Sequence, residues 1–345
     1  MNYQKIANIG ALAQSAKNIV IVTHSNPDGD AIGSSLGLFH FLQSYIPYAN
    51  VKVVVPNEFP SFLKWLPGVD EILIYEDSKI EVEDLFNNCD LCFCLDFNSL
   101  KRIDSLYPIL LSLNTPKILI DHHPQPDNDF EIALSCIEYS STSELIYEVI
   151  SQIEGPEKLN SNIANCLYVG IMTDTGSFSY ASNRPELYVA VSELIKQGID
   201  AEFIHRKVYD TYSENRMRLL GYCLSDRLVV LQHLHTAYIY LSKEDLQNFD
   251  YQNGDTEGVV NYSLSIQGVV LAALFTEKDD KIRISLRSKG SFNVNEFSRK
   301  YLNGGGHKNA AGGTLYSSLT EAIKFFEDTV LENSSLINEA FLIYK

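Results

Sequence analysis

His24, Asp28 and Asp30 fall within the seven-residue segment His24-Ser25-Asn26-Pro27-Asp28-Gly29-Asp30, where Pro27 and Gly29 shape a tight turn on which an imidazole and two carboxylates can converge. Asp96 follows the apolar run Leu91 to Leu95, and the triplet Asp121-His122-His123 follows Lys117 to Ile120. Asp174, in Met172-Thr173-Asp174-Thr175-Gly176, supplies a carboxylate from a fourth place. Imidazole combined with several carboxylates suits manganese or a similar divalent ion better than zinc held by thiolates. Taken singly, each cluster has a plainer explanation. Asp28 and Asp30 could cap a helix, Asp96 could end a strand in a turn, and Asp174 could be a turn or cap residue. An Asp-His-His triplet after a buried strand is harder to explain that way, and the joint placement of the clusters at the ends of apolar runs favours a site.

The elements that must position these residues are legible as short runs. Ile19 to Val22, Val51 to Val55, Leu91 to Leu95 and Ile118 to Ile120 are apolar, β-rich and not alternating, as expected of strands buried on both faces. Between them, Ile32, Leu36 and Phe39, with small Gly33, Ser34 and Ser35, suit a helix packed closely on a sheet, and Thr142 to Ile153 reads as helical. The pattern is α/β, a doubly wound, mainly parallel sheet, in which ligands bind at the carboxyl ends of the strands. A more polar helical stretch, Pro185 to Gly221, leads to two strand-like runs, Leu228 to Gln232 and Ala237 to Leu241. The expected organisation is a catalytic metal-binding domain over residues 1–190, a helical linker over 191–220 and a smaller α/β substrate-binding domain over 221–345, with a cleft between the two domains.

The net charge of −17 argues against coating long nucleic acid, which draws its affinity from many lysine and arginine contacts to phosphate. Residues 278–308 depart from this balance, with eight basic side chains against Asp279, Asp280 and Glu296. There Ile282, Ile284 and Leu286 alternate with Arg283, Ser285 and Arg287, so one strand face is apolar and the other cationic. Gly304, Gly305 and Gly306 allow close backbone approach, and His307 and Lys308 add donors where a helix is expected to begin. Ala310, Ala311 and Gly312 would then permit tight helix packing. The six cysteines show no zinc spacing and read as reduced core residues. Arg102, His40, His205, His233 and His235 read as structural or surface residues. The N-terminal apolar pattern is too broken for a signal segment or a spanning helix, so a cytoplasmic protein without membrane partners is expected.

The ordered set His24-x3-Asp28-x-Asp30, Asp96, Asp121-His122-His123 and Asp174 resembles the four motifs of the DHH phosphoesterase superfamily, and Gly304 to Gly313 resembles the signature of the DHH-associated C-terminal domain. The compact length is similar to that of the branch of bacterial bifunctional oligoribonucleases and phosphatases of 3′-phosphoadenosine 5′-phosphate (pAp). That resemblance implies two divalent ions, manganese being the expected metal. His24, Asp28 and Asp96 would hold one, and Asp30, Asp96, His122 and Asp174 the other, with Asp96 shared. His123 would face the substrate phosphate and Asp121 would orient a ligand histidine, making His123, Asp96 and Asp121 the catalytic set. Such a pair of ions can clamp a phosphoryl group and lower the pKa of a bridging water. The implied substrates are short RNA, dinucleotides and pAp, bound through Arg283, Ser285, Arg287, Gly304, Gly305, Gly306, His307 and Lys308. Alternatives in the same chemistry are a phosphodiesterase for linear dinucleotides such as pApA, a RecJ-type single-strand exonuclease and a polyphosphate or pyrophosphate hydrolase. A catalytically dead nucleotide sensor would show a missing ligand, and none is missing. A homodimer is left open.

Overall fold

A computed structural model describes residues 2–344, which divide into two compact units with the boundary between Thr211 and Tyr212. The first unit runs α1 (Tyr3–Ser15), β1 (Asn18–Thr23), α2 (Gly29–Tyr45), β2 (Asn50–Val55), β3 (Ile72–Ile74), α3 (Lys79–Asn87), β4 (Leu91–Leu95), α4 (Tyr107–Ser112), β5 (Lys117–Asp121), β6 (Ile132–Ser135), α5 (Thr142–Ile153), α6 (Ser161–Asp174), α7 (Pro185–Lys196) and α8 (Ala201–Tyr209). All six strands are parallel, in the order β3-β2-β1-β4-β5-β6. The order reverses between β1 and β4, which is where a doubly wound sheet opens its ligand crevice. Strands β1, β4 and β5 are buried on both faces, which is why they carry apolar residues without alternation. The edge strands β3 and β6 are three and four residues long and mostly half-buried, too short for a readable pattern.

Register turns this topology into a site. Thr23 pairs with Leu95, and Leu95 with Ile120, so His24, Asp96 and Asp121 emerge in one row at the carboxyl edge. Helix α2 packs on the sheet against β1, β2 and β4, as its sequence suggested, but Gly33 faces another helix. Gly29, Gly33 and Gly37 recur every fourth residue and face α6, where a Cβ at Gly33 would lie 2.5 Å from the Cys166 carbonyl and 2.9 Å from the Gly170 nitrogen. This close approach sets Asp30 at the start of α2 against Asp174 at the end of α6.

The second unit is a mixed sheet with helices: α9 (Glu214–Asp226), β7 (Leu228–Leu231), β8 (Thr236–Leu241), α10 (Lys243–Asn248), α11 (Val259–Leu264), β9 (Leu271–Lys278), β10 (Lys281–Ser288), α12 (Val294–Tyr301), β11 (Gly305–Gly306), β12 (Ala310–Leu315), α13 (Leu319–Glu332) and α14 (Ser334–Tyr344). The strand order is β11-β12-β10-β9-β8-β7, antiparallel except for β8 with β9. No helix begins at His307. Gly305 and Gly306 pair with Gly312 and Ala311 in a hairpin that turns through His307 to Asn309, so the glycines serve strand-to-strand approach rather than helix packing. A Cβ at Gly306 would lie 2.5 Å from the Ala310 carbonyl, and the φ of Gly306 is +148°. All six cysteines are free and five are buried; Cys136 is half-buried rather than in the core. Among the described residues, no helix is long and apolar enough to cross a membrane.

Candidate metal centre

His24 follows β1 directly, and its Nδ1 donates to the Ser25 carbonyl at 2.9 Å. That hydrogen bond fixes the tautomer and turns the unprotonated Nε2 toward Asp96 Oδ2 at 3.5 Å and Asp28 Oδ2 at 3.9 Å. Asp28 has two tasks at once. Its Oδ1 caps α2 by accepting from the Asp30 and Ala31 nitrogens, both at 3.0 Å, while Oδ2 looks toward His24. The helix cap is thus observed, and it leaves Oδ2 placed beside the other candidate ligands. Asp96 sits in left-handed backbone at φ +64°, a strained setting for a residue with a Cβ. Its Oδ1 lies 3.5 Å from His122 Nε2, so its two oxygens face two different histidines. His122 donates from Nδ1 to the Tyr139 carbonyl at 3.3 Å and presents Nε2 to Asp96, to Asp174 Oδ2 at 3.5 Å and to Asp30 Oδ2 at 3.9 Å. Asp121 is fully buried and accepts from His123 Nδ1 at 2.7 Å. Its hydrogen-bond partner is thus His123, whose Nδ1 also lies 3.8 Å from Asp96 Oδ1, rather than His24 or His122. Asp121 Oδ2 has no hydrogen-bond partner among the described residues.

The donor set fits divalent cations. At 3.5–3.9 Å, unprotonated imidazole nitrogens face carboxylate oxygens across distances too long for hydrogen bonds, an arrangement of acceptors against acceptors that needs a shared positive charge. The ligand atoms gather into His24, Asp28 and Asp96 on one side and Asp30, His122 and Asp174 on the other, each group within 4.8 Å. Burial, reinforced by Asp30, Asp28, Asp174 and Asp121, pushes the Asp96 carboxyl well above the usual range. Burial raises Asp30 to about 7 and Asp121 to about 6, and lowers all three histidines, His123 most strongly.

These shifts define a pH window. Asp30 titrates near 3.8 when unfolded and near 7 when folded without metal, so its contribution to stability falls as pH rises from about 4 to about 7. The depressed histidines act oppositely, costing stability as pH falls through 6.5. A cation bound by Asp30 would have to displace its proton below about pH 7. Calorimetric manganese affinity is therefore expected to drop by roughly tenfold per pH unit below about 7 and to level off above about 8. A flat affinity from pH 5.5 to 8 would contradict this electrostatic picture.

Three participants were not apparent from sequence. The Thr142 hydroxyl donates to Asp96 Oδ1 at 2.9 Å, and the Thr142 and Ser143 amides donate to Asp30 at 2.6 and 2.8 Å. Arg102, read as structural or surface, has its charge beside the cluster, helping to hold down the His24 and His123 pKa values and that of Asp121. Its carbonyl also accepts from the Ser25 nitrogen at 2.8 Å. The available signal was its place six residues after Asp96, in the short 3-10 helix Leu100–Leu106 that follows β4.

In the second unit, β10 alternates as its sequence indicated, with Ile282, Ile284 and Leu286 buried and Arg283, Ser285 and Arg287 partly or fully exposed. Arg287 lies opposite Ala310, and Ser285 opposite Gly312, so the neighbouring strand leaves the cationic face uncrowded. The hairpin after Gly304 is pinned by Asn295, whose Oδ1 accepts from the Gly306 nitrogen at 3.1 Å and from Arg299 Nε at 3.2 Å.

Residues 18–171 match the DHH family N-terminal domain, and residues 233–332 match the DHHA1 domain. The chain is 33% identical over 304 residues to a Bacillus subtilis protein named bifunctional oligoribonuclease and PAP phosphatase NrnA, spanning 87% of this chain and 90% of that one. A Thermus thermophilus protein of the same name is 30% identical over 315 residues, spanning 89% of each chain. A crystal structure of an exopolyphosphatase-related protein from Bacteroides fragilis is 45% identical and covers 98% of both chains with a TM-score of 0.92. RecJ from Thermus thermophilus, solved with Mn2+, shares the fold at 14% identity and a TM-score of 0.57, covering 97% of this chain and 55% of that one.

Proposed function

The chain belongs to the DHH family, and from that premise we propose that it is a manganese-dependent phosphoesterase that hydrolyses short oligoribonucleotides to mononucleotides and converts pAp to AMP. Hydrolysis of phosphoester bonds is the chemistry of the family. The observation that carries the reading is the cluster of buried His24, Asp30, Asp96 and His122 with the more exposed Asp28 and Asp174, whose donor atoms oppose one another at 3.5–3.9 Å. The names of the Bacillus and Thermus relatives support the substrate class.

Divalent ions, when bound, supply the charge that neutralises the phosphate and lowers the pKa of water. The chain's own residues do the rest. His24, Asp28 and Asp96 would hold one ion, and Asp30, His122 and Asp174, with Asp96 shared, the other. His123 is braced through Nδ1 by Asp121, which favours an imidazolium once phosphate brings negative charge, so Nε2 can hold a proton against a phosphate oxygen. Arg283, Ser285, Arg287, Gly304, Gly305, Gly306, His307 and Lys308 would bind substrate phosphate and sugar. Arg287→Ala and His307→Ala are accordingly expected to raise KM by about tenfold or more with a smaller loss in kcat, because they hold substrate rather than activate water. Unchanged kinetics in both variants would remove the recognition role from this face.

The name of the Bacteroides fragilis structure favours one rival, a polyphosphate hydrolase. Initial rates on pAp, pApA, a trinucleotide and polyphosphate with manganese separate the two readings. The proposal requires the nucleotides to be hydrolysed and polyphosphate to be poor; the reverse order would overturn it.

A further inference from the structure

The two carboxylates at the centre of the cluster are held by a segment that none of the four motifs contains. Ser141 caps α5, its Oγ accepting from the Glu144 nitrogen at 3.0 Å, and Glu144 Oε2 accepts from the Ser140 nitrogen at 2.8 Å and the Ser140 hydroxyl at 2.9 Å. Ser140 to Glu144 are all buried, so this first turn is rigid. Its two leading amides, Thr142 and Ser143, would lack intrahelical partners, and they donate instead to the two oxygens of Asp30, 112 and 113 residues away. The Thr142 hydroxyl then reaches Asp96 and selects Oδ1, the oxygen that faces His122, leaving Oδ2 to face His24.

Resting on the metal-centre reading above, we propose that Thr142 is a positioning residue chiefly of one half of the centre: it aims Asp96 Oδ1, and with Ser143 it orients Asp30, toward the ion shared with His122 and Asp174, while the ion at His24 and Asp28 meets it only through the other oxygen of Asp96. Helix α6 supports the arrangement from behind, since a Cβ at Gly170 would come within 2.8 Å of Asp30 Oδ1 and would collide with Ser143. Asp30 therefore has little room to swing away from the amides, and the hydroxyl of Thr142 is the part of the clamp that reaches Asp96.

Calorimetric titration of the chelator-treated full chain with manganese tests this without reference to turnover. Wild type is expected to take up two ions. Thr142→Val, which keeps the shape and removes the hydroxyl, is expected to bind one ion within a few-fold of wild type and the other about 10- to 100-fold more weakly, the usual effect of removing a hydrogen bond to a metal ligand. Thr142→Ser is expected to restore the second ion to within a few-fold, with metal-free melting temperatures of both variants close to wild type. Should the valine variant not fold, Thr142→Ala is read in its place. Two wild-type affinities in the valine or alanine variant, equal weakening of both ions, or failure of serine to rescue would each overturn the proposal. Absence of manganese binding by wild type would instead remove the metal-centre reading on which it rests.

Discussion

Asp96→Asn is expected to reduce hydrolysis of every substrate by about 10³-fold or more, the scale seen when one member of a catalytic unit is lost, while leaving the metal-free protein at least as stable as wild type. The two halves of this expectation have one cause. Asp96 is 2% exposed, stands among Asp28, Asp30, Asp121 and Asp174, and resists ionisation, so without a cation its charge is a cost to the fold. Asparagine removes that cost and keeps an oxygen to accept from Thr142. It also removes the charge through which the His24 side and the His122 side of the cluster share one carboxylate. Opposite signs for activity and stability distinguish this role from that of an ordinary core residue, whose loss lowers both. Activity within tenfold of wild type, or a large fall in melting temperature without metal, would contradict the assignment.

Substrate length carries the second large effect. With a net charge of −17 and its basic excess confined to residues 278–308, the chain offers few counter-charges to a long polyanion. Each further nucleotide adds a phosphate that meets acidic surface. Catalytic efficiency is expected to fall by at least about tenfold between a trinucleotide and a strand of about 20 nucleotides at low salt, and the gap should narrow as salt screens the repulsion. Initial rates on a length series at two salt concentrations measure both trends. A rate that rises with length, or processive loss of the long strand, would place the activity with the RecJ-type exonucleases.

The metal-type residues were legible because their signal is local. A strand buried on both faces is apolar along its middle, so the first carboxylate or imidazole at its carboxyl end marks the sheet edge: His24 directly after β1, Asp96 directly after β4 and Asp121 as the last residue of β5. What joins distant segments was not legible. Thr142 meets Asp96 across 46 residues and Asp30 across 112, contacts that exist only through the strand order and the packing of α2 on α6. Gly33 read as sheet-facing because a small residue does not name its partner, which is α6, and the four-residue recurrence of Gly29, Gly33 and Gly37 was not picked out. The stretch Gly304 to Gly313 misled for a related reason. Glycine and alanine permit close approach of either helices or strands, and here the pairing of Gly305 with Gly312 across a turn at His307 decides for strands. Arg102 lay in view but carried no pattern, since a single arginine in a loop is most often solvated.

The most direct measurement is hydrolysis of a dinucleotide by chelator-treated protein as manganese is added back in counted equivalents. Turnover is expected to be absent without metal and to climb until two ions per chain are bound, with Asp96→Asn inactive throughout. Full turnover in excess chelator, or saturation of activity at a single ion, would contradict a two-ion centre built on His24, Asp28, Asp30, Asp96, His122 and Asp174.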